Sequence, residues 1–531
     1  MEINLKYVSS NMDGAFILKI QEKTYVFNFF EGFQRCCIEN SIALGTIDVI
    51  FSLEKDNLAG LIGYYLTMGD CKKSYCDLVY NFNIHLPTIF KIAYRPQFQF
   101  WNSNQTNYDD KYICVFLDSL EDYTNCYIQF KKIPGKVCID KLPVNFPKKY
   151  IKDLKAKKSI NINGNIYNGA NFTEDDIFLN NIYIIRGTKY SINYVKTAQL
   201  IFYRNFNTLL ECKTINPTAE YWYLSLNTNI EYKSQYNLLK ELNSIILPIS
   251  FKSINIVQSI NHLDCFVYNK QTSSLIFEKS KDVQIQNITQ NVFPHNYLLF
   301  LGTGCAIPSK EKNVASLLYF NNNYGILFDC GEDTIGQIKR IYSNISILNQ
   351  IYIIFISHSH PDHMLGIVAI LKSSQHCITI IGSTILDNYL QIFNVKYKFV
   401  NVSTNNYFVI DNIKFTIAKS EHFKDSVFCA IDHNGFKLSY SGDCRPSMTF
   451  ANISLYNDVM IHECTFLDSQ KDFALKTKHS TNTEAYEIFK ASKSKKLILT
   501  HFSQRNKLDM WINEVLDDNV LLAHDFFIYS I

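Results

Sequence analysis

The sequence predicts an α/β protein of two domains in which sheets are covered by helices, and three observations carry that prediction. The 531 residues exceed the size at which a single hydrophobic core stops growing. Short apolar runs suited to buried strands alternate with helical segments along the chain. One strand-turn-helix grammar also occurs twice, once in each half. Composition agrees with an ordered globular chain, 47% hydrophobic and 14% aromatic with no long polar tract.

The first copy of the grammar opens with Tyr25-Val26-Phe27-Asn28-Phe29-Phe30 and turns at Glu31-Gly32 into Phe33-Gln34-Arg35. The second opens with Gly325-Ile326-Leu327-Phe328 and turns through Asp329-Cys330-Gly331-Glu332. Each reads as a strand ending in an acidic, glycine-containing turn into a helix. A second apolar strand follows each: Ile47 to Phe51 in one half, Ile351 to Ile356 in the other. With Gly60 set on Gly366, Ser52, Glu54 and Asn57 stand where the second copy has His358, His360 and His363, and only Asp56 matches Asp362. The first copy is therefore expected to hold no metal. Duplication followed by loss of chemistry accounts for the pattern; chance similarity between two β-turn-α units is the alternative. The domain limits expected are 1–278, a polar linker at 279–295, and 296–531, which begins with the apolar run Asn296-Tyr297-Leu298-Leu299-Phe300-Leu301.

A formal charge of +3 does not announce a nucleic-acid binder by itself, so electrostatic arguments rest on local patches. Fifteen scattered cysteines without a C-x-x-C motif point to reduced thiols in an intracellular protein. The start of the chain lacks the features of a signal or mitochondrial transit peptide, and no stretch approaches a membrane span. Nucleus and/or cytoplasm is the expected location, with no membrane partner.

Catalysis belongs to the second half, because ten of the thirteen histidines begin at His358. The run His358-Ser359-His360-Pro361-Asp362-His363 packs three imidazoles and a carboxylate into a loop leaving a buried strand, a donor set suited to a borderline-soft divalent ion such as zinc. His422, Asp443, His462-Glu463 and His501 each end a later apolar run, and strand ends are where α/β folds collect site residues. One such histidine is usually structural; several beside the loop point to a shared metal site.

Leu301-Gly302-Thr303-Gly304 with Pro308-Ser309-Lys310-Glu311-Lys312-Asn313, Phe328 to Glu332, the metal loop, Tyr440-Ser441-Gly442-Asp443-Cys444-Arg445-Pro446, Ile461-His462-Glu463-Cys464-Thr465-Phe466, Lys478-His479-Ser480-Thr481 and Thr500-His501-Phe502-Ser503-Gln504-Arg505 together resemble the metallo-β-lactamase superfamily. Within it they resemble the long form of tRNase Z, endonucleases that remove 3′ trailers from tRNA precursors. The resemblance implies tandem αββα sandwiches, the N-terminal copy degenerate and the C-terminal copy catalytic. It implies two Zn2+ ions, with Mn2+ able to replace them: one at His358, His360 and His422, the other at Asp362, His363 and His501, with Asp443 bridging. Two cations about 3.5–4 Å apart would stabilise both oxygens of an in-line displacement at phosphorus. Asp362 would orient the attacking water and accept its proton. His479 with Glu463 would protonate the departing ribose 3′-oxygen; the alternative is that the pair only hydrogen-bonds to metal ligands.

The same resemblance implies precursor tRNA as the substrate, cleaved 3′ of the discriminator nucleotide to leave a 3′-hydroxyl on the tRNA. Pro308, Lys310, Lys312 and Asn313 resemble a P-x-K-x-R-N loop that senses nucleotides beyond the cut. Lys312 replaces its arginine and loses planar bidentate recognition, which leaves discrimination against mature CCA ends open. Residues near 146–172 resemble an arm that grips the tRNA elbow. There Lys148, Lys149, Lys152, Lys155, Lys157 and Lys158 would neutralise several phosphates; codon bias or a merely solvated basic face is the alternative. Because the two halves mimic the dimer of shorter relatives, a monomer is expected. Only 58 residues separate Asp443 from His501, too few for the domain that β-CASP nucleases insert there. The rival readings are a small-molecule hydrolase of the same fold, acting on thioesters or phosphodiesters, and a non-catalytic tRNA-binding protein. The long N-terminal copy speaks against the first and the full set of metal positions against the second.

Overall fold

The computed structural model describes residues 3–9, 13–55, 57–70, 75–81, 99–104, 106–120, 123–203, 206–224, 258–260, 265–269, 274–278, 293–342, 346–402, 406–506 and 517–531. Asp56 and all but 293–295 of the expected linker lie outside the described residues.

The two halves repeat one topology, save that the first sheet has eight strands in the N-terminal half, where Cys265–Asn269 and Ser274–Glu278 extend it, and seven in the C-terminal half, where Ile528–Ser530 alone does so. In the N-terminal half, Ile3–Ser9, Gly14–Ile20 and Lys23–Phe27 form an antiparallel meander, and Val49–Ser52, Tyr75–Tyr80 and Gln99–Asn104 then join in parallel. In the C-terminal half, Asn296–Gly302, Ser316–Asn321 and Tyr324–Cys330 form the meander, and Ile351–Phe355, Ile378–Gly382 and Tyr397–Asn401 join in parallel. The second sheets match as well, each with three antiparallel pairings followed by three parallel ones. One runs from Asn107–Asp109 to Gln258–Ile260, the other from Tyr407–Ile410 to Val520–Leu522. So many shared pairings in one order leave little room for chance similarity and support duplication.

Local sequence explains the strands. Ile351–Phe355, central and parallel, is a nearly unbroken apolar run buried at four of its five positions. Ile413–Lys419, antiparallel, alternates buried isoleucine and phenylalanine with more exposed positions. In each half the inner faces of the two sheets enclose an apolar core, one built around Phe16, Phe51 and Phe202, the other around Phe300, Phe328 and Phe415. Helices cover the outer faces. Those over the first sheets, including Phe33–Glu39, Leu58–Asp70, Thr334–Ile341 and Ile367–Ser373, pack into a single core shared between the halves. The layers are αββα in each half.

The contact between the halves is self-complementary, as at a two-fold dimer interface. Left-handed residues end equivalent strands at Asn28 (φ 70) and Asp329 (φ 57), and left-handed Gly32 (φ 86) and Asp333 (φ 62) begin equivalent helices. Glu31 accepts a hydrogen bond from the Asp333 backbone N–H, and Glu332 Oε1 accepts the equivalent one from Gly32 N at 3.2 Å. Gln34 Nε2 donates to Glu332 Oε2 at 2.8 Å, and Arg340 grips Glu39 with both terminal nitrogens at 2.9 and 3.0 Å. Burial pushes the Glu332 carboxyl up to about 7 and Asp333 up to about 6, and burial with the neighbouring carboxylates pushes Glu31 up as well.

An insertion also breaks the symmetry. In the C-terminal half Val427–His433 returns as Phe436–Tyr440 through the tight turn Asn434-Gly435, whose φ values of 55° and 88° suit a type I′ hairpin. In the N-terminal half the equivalent strands, Tyr123–Phe130 and Ile182–Ile185, are separated by a segment with a short helix, Ile151–Lys155, and a separate hairpin, Ser159–Ile162 with Asn165–Asn168. The lysine-rich stretch expected to act as an arm, near 146–172, lies in that segment.

Candidate metal centre

The metal loop leaves the strand Ile351–Phe355 and enters a short helix, Pro361–Met364, whose first position is a proline with its φ preset for helix. Side chains from neighbouring elements fix the loop between them: Ser357 N donates to Asp329 Oδ1 at 2.7 Å and Ser359 Oγ to Asp425 Oδ2 at 2.7 Å. The turn bearing Asp443 closes against it through Gly442. A Cβ at that left-handed glycine (φ 52) would lie 2.5 Å from Ser357 Cβ, so a side chain there would hold the two loops apart.

These elements bring every expected ligand into one cavity. His358 Nε2 and His422 Nε2 lie 2.9 and 3.1 Å from His360 Nδ1, and Asp443 Oδ2 is 3.7 Å from His358 Nε2 and 3.6 Å from His422 Nε2. Asp443 also faces the other group, with Oδ2 3.2 Å from His363 Nε2 and Oδ1 3.3 Å from His501 Nε2. Asp362 Oδ2 lies 3.6 Å from His363 Nε2 and 3.5 Å from His501 Nε2. Asp443 thus stands between two clusters of donors.

The imidazoles are prepared for a cation. His358, His363, His422 and His501 each have Nδ1 tied to the protein, by Ser357 Oγ (3.0 Å), Asp329 Oδ2 (2.6 Å), the Lys478 carbonyl (3.0 Å) and Thr465 Oγ1 (2.9 Å), which turns Nε2 into the cavity. His363 Nε2, His501 Nε2 and Asp443 Oδ1 are buried without a hydrogen-bond partner, an arrangement that costs free energy unless something else binds them. Burial and neighbouring imidazoles lower His358 and hold His360 down to about 4, and burial lowers His422, which favours the neutral, ligating form of these rings; burial also lowers His363, but the Asp443, Asp362 and Asp329 carboxylates outweigh it and raise that imidazole. The residues present fit a divalent metal.

Glu463, at the end of Val459–Glu463, is buried and accepts from Cys444 N and Thr465 N, both at 3.0 Å, and from Thr465 Oγ1 at 2.7 Å. Its Oε1 lies 2.9 Å from His479 Nδ1. Burial lowers the His479 imidazole, but the Glu463 carboxylate outweighs that and holds it up at about 9. Arg445 braces the pair: it donates to the His479 carbonyl and binds Glu484, which caps the helix Asn482–Ser492 through a reciprocal Thr481–Glu484 box. His462, by contrast, turns away and bonds its own chain at the Glu463 carbonyl.

In the N-terminal copy one of the equivalent positions, Glu54, faces a buried cation of the protein's own. Arg186 follows Ile182–Ile185, the counterpart of the strand leading to Asp443, and donates from Nη2 to both Asp13 oxygens at 2.8 Å and from Nε to Glu54 at 2.8 Å. Asn57 donates to Asp13 (3.0 Å) and Asn28 (2.9 Å).

The loop expected to meet the substrate lies beside the cavity, but not all of it faces outward. Lys310 is exposed and reaches Ser41 Oγ at 2.8 Å. Lys312 and Asn313 point inward. The Lys312 ammonium donates to the Ser503 and Asn506 carbonyls at 3.3 Å beyond His501, and Asn313 Nδ2 donates to the Glu332 carbonyl at 2.8 Å. Burial lowers the Lys312 amine. Pro308 is buried at the foot of the loop. In the segment expected to be the arm, Lys148, Lys149, Lys152, Lys155 and Lys158 are exposed, whereas Lys157 is half-buried against Asp176 (3.0 Å); Lys158 pairs with Asp153 (3.1 Å).

Sequence reasoning assigned no role to Asp329, Thr465, Arg445 or Cys305. The Cys305 sulfur lies in one ligand cluster with Asp362 and His501. Its signal was its place, three residues past the end of Asn296–Gly302. Burial and the Asp362, Asp443 and Glu463 carboxylates push its thiol up.

Residues 324–502 match the family described as "Beta-lactamase superfamily domain". Ribonuclease Z 2, mitochondrial, of Schizosaccharomyces pombe is 32% identical over 39% of this chain and 34% of its own length. Zinc phosphodiesterase ELAC protein 2 of Mus musculus is 28% identical over 43% of this chain and 33% of its own. The chain thus spans about a third of the length of these curated relatives. The crystal structure of a long form RNase Z from yeast superposes on 100% of the chain and 98% of its own with a TM-score of 0.72 at 18% identity, a likeness of fold. Residues 324–502 thus resemble a beta-lactamase superfamily domain, in a two-part chain whose fold is that of the long form RNase Z from yeast.

Proposed function

We propose that the protein is a metal-dependent endoribonuclease that removes the 3′ trailer of precursor tRNA, cutting 3′ of the discriminator nucleotide. The observation that carries the reading is the cavity itself, in which imidazoles tied at one nitrogen aim the other at a shared space beside a buried His479–Glu463 pair. The names of the relatives, ribonuclease Z and zinc phosphodiesterase, support the same chemistry.

His358, His360 and His422 would hold one Zn2+ and Asp362, His363 and His501 a second, with Asp443 between them; Mn2+ is the substitute. When bound, such a pair supplies Lewis acidity and a water of lowered pKa at neutral pH. Asp362, fixed by the Ala306 N–H at 2.7 Å, would orient that water and take its proton. His479, kept charged by Glu463, would give a proton to the departing 3′-oxygen, and the buried hydrogen bonds around Glu463 would hold the donor in place. Lys310 and the turn from Pro308 to Asn313 would border the trailer, and the exposed arm lysines would bind phosphates of the tRNA body. The N-terminal copy, with Arg186 at its own former centre, would serve as scaffold for the arm, and the shared core between halves favours a working monomer. Nucleus or cytoplasm is the proposed location, and imaging of the tagged full-length protein decides it.

Incubating the purified chain with a trailer-bearing precursor tests the reading. Trailer release, abolished by a chelator and restored by Zn2+, is the expected result; a precursor left intact under all metal conditions overturns it.

A further inference from the structure

The ligand cluster at Asp362 and His501 has a member that the metal motifs do not supply. The Cys305 sulfur, an Asp362 carboxylate oxygen and a His501 ring nitrogen all lie within 4.8 Å of one another. Backbone bonds hold the cysteine there from both sides: Cys305 N donates to the carbonyl of Phe502, next to His501, at 3.2 Å, and Ala306 N donates to Asp362 Oδ2 at 2.7 Å. A second observation points to a ligand in the same space. His501 is 97% buried, its Nδ1 is occupied by Thr465, and its Nε2 has no hydrogen-bond partner.

We propose that the Cys305 sulfur is a ligand of the ion held by Asp362 and His501. The inference rests on the metal centre described above and adds a soft donor to a site otherwise made of imidazole and carboxylate. Thiolate is the ligating form, so the S–H bond breaks as the sulfur–metal bond forms and the proton leaves to solvent. A thiolate favours zinc, cobalt and cadmium over manganese and magnesium, and it makes this half of the centre the more zinc-selective one. Cys330, Cys444 and Cys464 are fully buried and join no ligand cluster among the described residues, so Cys305 stands apart from the packing cysteines.

The test is cobalt substitution of the metal-free, full-length protein. Bound Co2+ gives visible d–d absorption whatever its ligands, whereas a near-ultraviolet thiolate-to-cobalt charge-transfer band requires a sulfur ligand. The wild type is expected to show both, and Cys305→Ser to keep the d–d absorption while losing the charge-transfer band. A measurement that needs no variant accompanies it: Zn2+ is expected to protect Cys305 of the wild type from alkylation, mapped by mass spectrometry. Visible absorption without a charge-transfer band in the wild type, a band that survives in Cys305→Ser, or alkylation that ignores Zn2+ overturns the inference and leaves the metal centre standing. Failure to bind cobalt at all overturns both.

Discussion

Asp329 joins the fold to the chemistry, and replacing it with asparagine separates the two. Its Oδ2 accepts from Ser357 Oγ (2.8 Å), His363 Nδ1 (2.6 Å) and Tyr440 OH (2.7 Å), while Oδ1 accepts from Ser357 N (2.7 Å). An amide has one oxygen. Turned to keep the three donors on one side, it sets its NH2 against the Ser357 N–H, leaving a buried donor unsatisfied at a cost of about 1–3 kcal/mol. Turned the other way, it confronts three donors at once. In either case His363 loses its carboxylate partner and becomes a weaker ligand. Such partners are typically worth about 10- to 100-fold in metal affinity, or roughly 1.4–2.7 kcal/mol. Competition with a chromophoric chelator measures this directly. Asp329→Asn is expected to weaken one of two zinc sites and spare the other; wild-type affinity at both sites would refute the role given to Asp329.

Three further outcomes are expected. His479→Ala should lower the rate of trailer release by about 10²- to 10⁴-fold while zinc content, read by elemental analysis, stays unchanged; loss of zinc would assign His479 to holding the metal shell instead. Glu332 carries a raised folded-state pKa of about 7, so it binds its proton more tightly folded than unfolded, and its contribution is present below the unfolded value and lost as pH rises through 7. The unfolding free energy, read from urea melts, should therefore fall by about 2–4 kcal/mol from this group between about pH 4.5 and 7, and Glu332→Gln should flatten that slope; an unchanged slope would count against it. Replacing Lys148, Lys149, Lys152, Lys155 and Lys158 with serine should weaken precursor binding and reduce its salt slope by about one unit for each phosphate no longer neutralised, with filter binding at several salt concentrations as the measure and an unchanged slope the contrary result.

What the sequence revealed was local. The loop from His358 to His363 carries four candidate ligands within six positions, and the later ones end apolar runs, so strand geometry alone gathers them. The alignment of Glu54 and Asn57 on His360 and His363 was likewise visible, because both copies keep the same strand-to-helix spacing. Partners that come from distant parts of the chain were not. Asp329 meets His363 only because a left-handed residue ends its strand, and Arg186 reaches Glu54 across 132 positions. Lys312 looked like a substrate contact by its motif, yet its stem is long enough to find two backbone carbonyls past His501, a geometry no local pattern encodes. Cys305 was hidden for the same reason: its neighbours Asp362 and His501 lie 57 and 196 residues away.

The chemistry of the cut ends tests the central claim most directly. Water activated at a metal centre, with His479 protonating the leaving 3′-oxygen, must leave a 3′-hydroxyl on the tRNA and a 5′-phosphate on the trailer. Sequencing and ligating both products of a trailer-bearing precursor should find the discriminator as the last tRNA nucleotide with those two ends. A 2′,3′-cyclic phosphate on the tRNA and a 5′-hydroxyl on the trailer would mean attack by the RNA's own 2′-hydroxyl, and would contradict the account.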